Sequence, residues 1–156
     1  MKKIIFGVLL MYSVMFIVAC GEKKDPASYN NELITVINDN EKNITEMNAA
    51  MTSEDYAKAG EVRKEWESKL DEQIKKVEDL GDFNGDDGMQ KGVLNGLKAY
   101  QKIVKEDYVK LIDIRSSKKE DPAGEKEALD HINSAFETAA NEVNEAATAF
   151  EKKYAQ

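Results

Sequence analysis

From Tyr29 to Tyr154 the apolar residues recur at steps of three and four, and only short polar stretches interrupt them. That period marks one face of an α-helix. A chain with several long apolar stripes has to bury them against one another, which points to helices packed on helices. Leu33, Val36, Ile37, Ile44, Met47 and Met51 mark a first helix from about Tyr29. Thr52-Ser53-Glu54-Asp55 has the form of a capping box, so a second helix is predicted over 53–80 after a very tight turn. Its stripe is Tyr56, Ala59, Trp66, Leu70, Ile74, Val77 and Leu80. Gly81, Gly85 and Gly88, with Asp and Asn between them, stop it. A third helix is predicted over 87–115, with Met89, Val93, Leu97, Tyr100, Val104, Leu111 and Ile114 inward. Asp121-Pro122 reads as an N-cap followed by proline at the first helical position. The fourth helix, over 122–154, carries Leu129, Ile132, Phe136, Ala139, Val143, Ala147, Phe150 and Tyr154. No stretch alternates with period two and carries β-branched enrichment, so no strand is predicted. The expected fold is all-α: an up-down-up-down antiparallel four-helix bundle over 29–156.

The start of the chain is of another kind. Lys2 and Lys3 precede an uncharged run from Ile4 to Ala19, diluted by Gly7 and Ser13. A positive start, an apolar run and a small residue make a secretory signal peptide, predicted over 1–19. The run is shorter than the roughly 20 residues that span a bilayer comfortably. At its end, Ile17-Val18-Ala19-Cys20 resembles the lipobox of bacterial lipoproteins: an aliphatic residue, a tolerant position, a small residue and the lipidated cysteine. The resemblance implies cleavage between Ala19 and Cys20, and a diacylglyceryl thioether with an amide-linked acyl chain on Cys20. Two or more chains anchor stably where one does so only marginally. The implied partner is the membrane, reached through Cys20. Gly21 stands where the inner-membrane retention signal of many lipoproteins has Asp, so the resemblance leans towards the outer membrane. In a cell with one membrane the implied place is its outer face. Residues 20–28 then form a tether, its eight residues after the cysteine reaching at most about 28 Å.

Beyond the lipobox, Tyr29-Asn30, Leu80-Gly81-Asp82-Phe83 and Leu97-Lys98-Ala99-Tyr100 resemble a group of small helical bacterial surface lipoproteins. The likeness is spread over most of residues 29–115. The group has no established activity, so the resemblance implies a fold and an address but no mechanism.

Charge narrows the partners. The chain has 22 basic and 30 acidic residues, a net charge of −8. Removing the signal takes two lysines with it and leaves 137 residues at −10, the size of one domain. Nucleic acid needs a basic footprint and is not an expected partner. Cys20 is the one cysteine, so neither a disulfide within a monomer nor a multi-cysteine metal cluster is possible.

Candidate chemistry is sparse. Asp82-Phe83-Asn84-Gly85-Asp86 opens like a calcium loop, but Asp87 stands where the loop needs glycine and Val93 where it needs a bidentate Glu. It reads as a helix-stopping turn. His131, the one histidine, falls opposite the fourth stripe and is expected exposed, with Glu127 one turn before it. No Glu-x-x-His pair supports a di-iron site. No metal and no cofactor are expected. Gly88, Gly92 and Gly96 suggest close packing of the third helix on a neighbour, or else a groove. Trp66, Tyr56, Tyr100 and Tyr108 read as core.

Asn40, Arg63 and Asp107 are polar residues inside apolar stripes. At 1.5 Å per residue, Asn40 and Arg63 lie roughly 16–18 Å from the Thr52 turn and Asp107 roughly 12 Å. One internal polar layer is therefore expected, with Arg63 paired to Asp107 and Asn40 bonded nearby. The expected role is a lipid-anchored, non-enzymatic envelope or surface module, binding an unidentified macromolecule or serving structurally. The alternative is an envelope enzyme, or a small-ligand or ion carrier with its polar site inside the bundle.

Overall fold

The Asp25 carboxylate accepts from the backbone N–H of Ser28 at 2.8 Å, and Pro26 fills the first helical position. These two residues start α1 (Pro26–Asn38) three residues before the expected Tyr29. The structure is a computed structural model, and it describes residues 24–117 and 120–154. The predicted signal 1–19 and residues 20–23 of the predicted tether, Cys20 among them, lie outside them; Lys24 and Asp25 precede α1, and 26–28, expected in the tether, form its first turn. The elements that follow are α2 (Glu41–Thr52), α3 (Tyr56–Leu80), α4 (Gly88–Lys102), a π-helical turn (Ile103–Asp107), α5 (Tyr108–Ser116) and α6 (Pro122–Tyr154). The protein is all-α; among the described residues the one β-type pairing is an isolated bridge between Phe83 and Asp86. No described helix is long and apolar enough to cross a membrane.

Two predicted helices are interrupted. The first breaks at Asp39-Asn40, within a run of Asn and Asp side chains that compete with the helix for backbone partners. Asn40 N–H bonds the Ile37 carbonyl at 3.2 Å, leaving Val36 without its regular donor. Three side chains repair the break. Asn40 Nδ2 donates to the carbonyls of Val36 (3.3 Å) and Ile37 (3.1 Å), Gln73 Nε2 to Val36 (3.0 Å), and Lys69 Nζ to Asp39 (2.5 Å). The third predicted helix carries the π-helical turn, in which Tyr108 N–H bonds Ile103, five residues back.

The caps are local. α3 is capped by Asp55, which accepts from Lys58 N–H at 2.9 Å; Thr52, the expected cap, is the last residue of α2. α3 stops at Gly81, whose φ of 70° and ψ of −171° suit only glycine. Asn84 (φ 54°) and Gly85 (φ 89°) then make the tight reversal that Asn-Gly favours. α6 starts as expected, with Asp121 accepting from Gly124 N–H at 2.9 Å ahead of Pro122.

α4 and α6 make the closest helix pair. A Cβ built on Gly92 would stand 2.3 Å from Ala146 Cβ, and one on Gly96 would stand 3.0 Å from Val143 Cγ2. Here the glycines serve packing. α1 lies against α4, α3 and α6, whereas α2 packs on α3. Trp66, Leu33, Met47, Leu70, Met89 and Leu97 are fully buried between the elements.

The 81–87 turn is locked at the end where the tether enters. Lys24 Nζ donates to the carbonyls of Leu80 (2.5 Å) and Asp82 (2.7 Å), and Tyr29 Oη donates to Gly81 (2.7 Å). Phe83 sits among Tyr29, Phe150 and Tyr154 with ring centres 4.8–5.3 Å away. Asp86 accepts from Lys153 Nζ (2.6 Å), Tyr154 Oη (3.0 Å) and Gly88 N–H (3.0 Å). The Lys153 bond, then those of Gly88 and Tyr154, hold its carboxyl at about 2. Burial and the nearby Asp82, Asp86 and Asp87 push the Tyr29 hydroxyl up to about 12. The turn is tied into α6 by its own carboxylate.

Two outcomes follow for stability. Gly60 in α3 has nothing within 4 Å of an added Cβ, so Gly60→Ala should stabilise by about 0.5–1 kcal/mol. Gly92→Ala should destabilise by about 1–3 kcal/mol through overpacking, and Ala146→Gly added to it should restore part of the loss in chemical denaturation. For pH, the depressed pKa of Asp86 means its stabilisation is complete above the unfolded value of 3.8 and is lost as pH falls towards 2. Asp86→Asn should lower the melting temperature by several degrees at pH 7 and much less at pH 2, read by circular dichroism.

Candidate functional site

Asn40, Arg63 and Asp107, expected to share one polar layer, do not bond one another. Asn40 is fully buried, and its Oδ1 accepts from Trp66 Nε1 at 2.8 Å while its Nδ2 holds the Val36 and Ile37 carbonyls. Both N–H groups of this side chain are spent on the break between α1 and α2, and its oxygen ties the break to Trp66 on α3. The expected Arg63–Asp107 pair does not form. Arg63 Nη1 instead donates to Glu67 Oε2 (2.7 Å) on its own helix and to the Val104 carbonyl (3.3 Å). The π-helical turn explains this. Tyr108 N–H has gone to Ile103, so the Val104 carbonyl lacks its usual α-helical donor, and the guanidinium takes that place. The extra residue also turns Asp107 towards α6, where its Oδ1 lies 3.1 Å from His131 Nδ1. His131 is exposed, as expected, yet it partners the buried Asp107. Glu127, one turn before it, pairs with Lys110.

Below this layer the molecule has a groove. Because α2 rests on α3, a channel of about 360 Å³ stays open between α2 and α6, floored by α5. Ile44, Asn48, Met51 and Thr52 line one wall; Leu129, Ile132, Asn133 and Phe136 line the other. Each wall is an i, i+3 or i+4, i+7 row about 10 Å long. Tyr108, Leu111 and Arg115 form the floor. Burial pushes the Tyr108 hydroxyl up to about 12, so the floor is neutral there. Arg115 is the one charged side chain in the lining; its Nε (2.9 Å) and Nη2 (2.7 Å) both donate to Glu125 Oε1. The groove sits towards the α2–α3 end; along α6 its lining stops at Phe136, about 21 Å short of Phe150 at the tether end at 1.5 Å per residue. A second cleft, about 570 Å³, lies at the tether end between Pro26, Asn30, Phe150 and Tyr154.

Sequence reasoning did not find the groove. Its one signal is in α6, where Ala128 is fully buried beside a half-exposed Leu129. α6 turns small residues inward and leaves Leu129 and Phe136 at the edge of the seam. Gln73 and Lys69, which repair the α1–α2 break, were equally invisible, because their carbonyl partners exist only once that helix is broken. Among the described residues no group of three or more acidic, histidine or cysteine side chains is placed to hold a metal ion. No protein-family model, curated protein or solved structure significantly matches this chain.

Asn40→Ala would leave Trp66 Nε1 without its partner inside the core and take one donor each from the Val36 and Ile37 carbonyls, which keep Gln73 Nε2 and the backbone N–H of residue 40. It should cost about 2–3 kcal/mol in chemical denaturation. Arg63→Ala strands no buried carboxylate, but it removes a partly exposed ion pair and leaves the buried Val104 carbonyl without a donor, and should cost about 1–3 kcal/mol.

Proposed function

We propose that this protein is a lipid-anchored binding module of a bacterial envelope. In this reading Cys20 carries the lipid, 1–19 is removed as a signal peptide, and a short tether holds the helices close to an outer membrane or cell surface. The helices act as an up-down-up-down four-helix bundle that is displayed rather than catalytic, with no nucleic acid, metal or cofactor involved. The observation that carries the proposal is Ile17-Val18-Ala19-Cys20 at the end of an uncharged run.

The use of the interior polar groups supports display over an internal ligand site. Asn40 and Gln73 hold backbone carbonyls, and Arg63 does the same at the π-helical turn. Each is engaged in maintaining a helix irregularity. The groove between α2 and α6 lies towards the end remote from Lys24, where an anchored module would meet partners outside the membrane.

In cells, Cys20→Ser should abolish fatty-acid labelling and move the protein from the membrane fraction to the soluble fraction, or hold it as precursor. Normal labelling of that variant would overturn the anchor.

A further inference from the structure

We propose that the cleft between α1 and α6 receives the primary ammonium group of a zwitterionic lipid headgroup of the phosphoethanolamine class; this rests on the lipid-anchor reading above. Chain length brings the two together. Lys24 is pinned to the 81–87 turn by its bonds to the Leu80 (2.5 Å) and Asp82 (2.7 Å) carbonyls, and its Nζ stands 5.2 Å from the centre of the Tyr29 ring. Asp25, the next residue, already lines the cleft. Between a lipidated Cys20 and Lys24 only residues 21–23 remain, and those four peptide steps reach at most about 14 Å. So short a lead keeps this end of the helices at the headgroup layer.

The lining offers acceptors and no cation. Pro26, Asn30, Phe150 and Tyr154 bound about 570 Å³ together with the carboxylates of Asp25 and Glu151. Volumes of that order hold small ligands. Asn30 Oδ1 is buried and meets no donor among the described residues. Asn30 Nδ2 makes only a long contact with Glu151 Oε1 (3.5 Å), and Asp25 Oδ2 is taken by Ser28 N–H (2.8 Å). The other oxygen of each carboxylate has no donor among the described residues. α6 also ends here, and its last carbonyls favour a positive charge. The neighbouring lysines are engaged elsewhere, Lys24 on the turn and Lys153 on Asp86 (2.6 Å). An ammonium group supplies the missing charge and donors, with the faces of aromatic rings beside it.

The orphaned oxygen selects the kind of ammonium. Buried acceptors are nearly always paired, and a primary ammonium has three N–H groups to give. A trimethylammonium has none. An anionic headgroup without an ammonium fits poorly, because Asp82, Asp86 and Asp87 stand near Tyr29 at the same end. Lys152, exposed beside Glu151 and in no ion pair among the described residues, is available for the phosphate of the same headgroup.

The test joins carboxylates directly to the amines they touch. The protein, produced in bacteria from its full-length sequence and purified from their membranes, is placed in vesicles of phosphatidylcholine and phosphatidylethanolamine in equal parts. A zero-length carbodiimide then forms amide bonds, which mass spectrometry locates. Glu78, exposed on the last turn of α3 at the same end, is the control. Glu151 should carry the lipid amine several-fold more often than Glu78. Asn30→Leu should lower that coupling about tenfold, the loss of one hydrogen bond to a charged group, and Asn30→Asp should keep it. The comparison of Glu151 with Glu78 needs no variant and stands if Asn30→Leu fails to fold. Equal coupling at Glu151 and Glu78 overturns the proposal, as does an Asn30→Leu protein that folds and couples like the parent. A bond from Glu151 or Asp25 to Lys23 in place of the lipid overturns it by naming the tether as occupant. A Glu151 preference for ethanolamine dissolved beside phosphatidylcholine vesicles, with none for the lipid, overturns the membrane as source. The same spectra read residue 20. A chain without acyl groups on Cys20 overturns the anchor and this inference with it, whereas a lipidated chain without the Glu151 preference overturns this inference alone.

Discussion

The hydrogen bond from Trp66 to Asn40 is the contact on which the arrangement of the first helices depends. Asn40 is fully buried and sits where the backbone ladder fails. Its amide replaces the missing donors, and its carbonyl takes the one polar atom of the largest core side chain. An apolar residue here would leave Trp66 Nε1 unpaired in the interior, worth about 1–3 kcal/mol, and would take one of two donors from each of the Val36 and Ile37 carbonyls. The break is therefore stabilised by the same group that causes it. Since α2 leaves the line of α1 at this point, the contact also decides that α2 rests on α3 and that a seam towards α6 remains.

The π-helical turn plays the corresponding part on the other side. One extra residue between α4 and α5 removes Tyr108 N–H from Val104 and turns Asp107 towards α6. Arg63 and His131 answer the two consequences, one capping a carbonyl and the other meeting a buried carboxylate. The irregularity joins α3, α5 and α6 through side chains rather than backbone. At the other end the constraint is steric: Gly92 and Gly96 let α4 approach α6 so closely that any side chain at Gly92 would meet Ala146. The two ends thus behave differently. The tether end is tied by glycine packing, stacked aromatic rings and the Asp86 contacts and keeps a cleft between α1 and α6, whereas the far end keeps the groove between α2 and α6.

The sequence alone determined the all-α class, the break at 81–87, the caps at Asp121 and Gly81, the burial of Trp66 and the exposure of His131. These follow from short-range physics: a 3.6-residue period, glycine's freedom at positive φ, and proline's fixed φ at a helix start. The same reasoning put Asn40, Arg63 and Asp107 at one expected depth, but in the structure they bond Trp66, Glu67 and His131 rather than one another. Tertiary structure alone decided how those side chains pair, where two helices bend, and that α2 and α6 stay apart. Such features depend on which carbonyls lose their donors and how each helix is rotated about its axis. A shift of one residue, about 100° of rotation, sends Asp107 to a different neighbour, and no periodic pattern records a shift that packing between distant segments imposes.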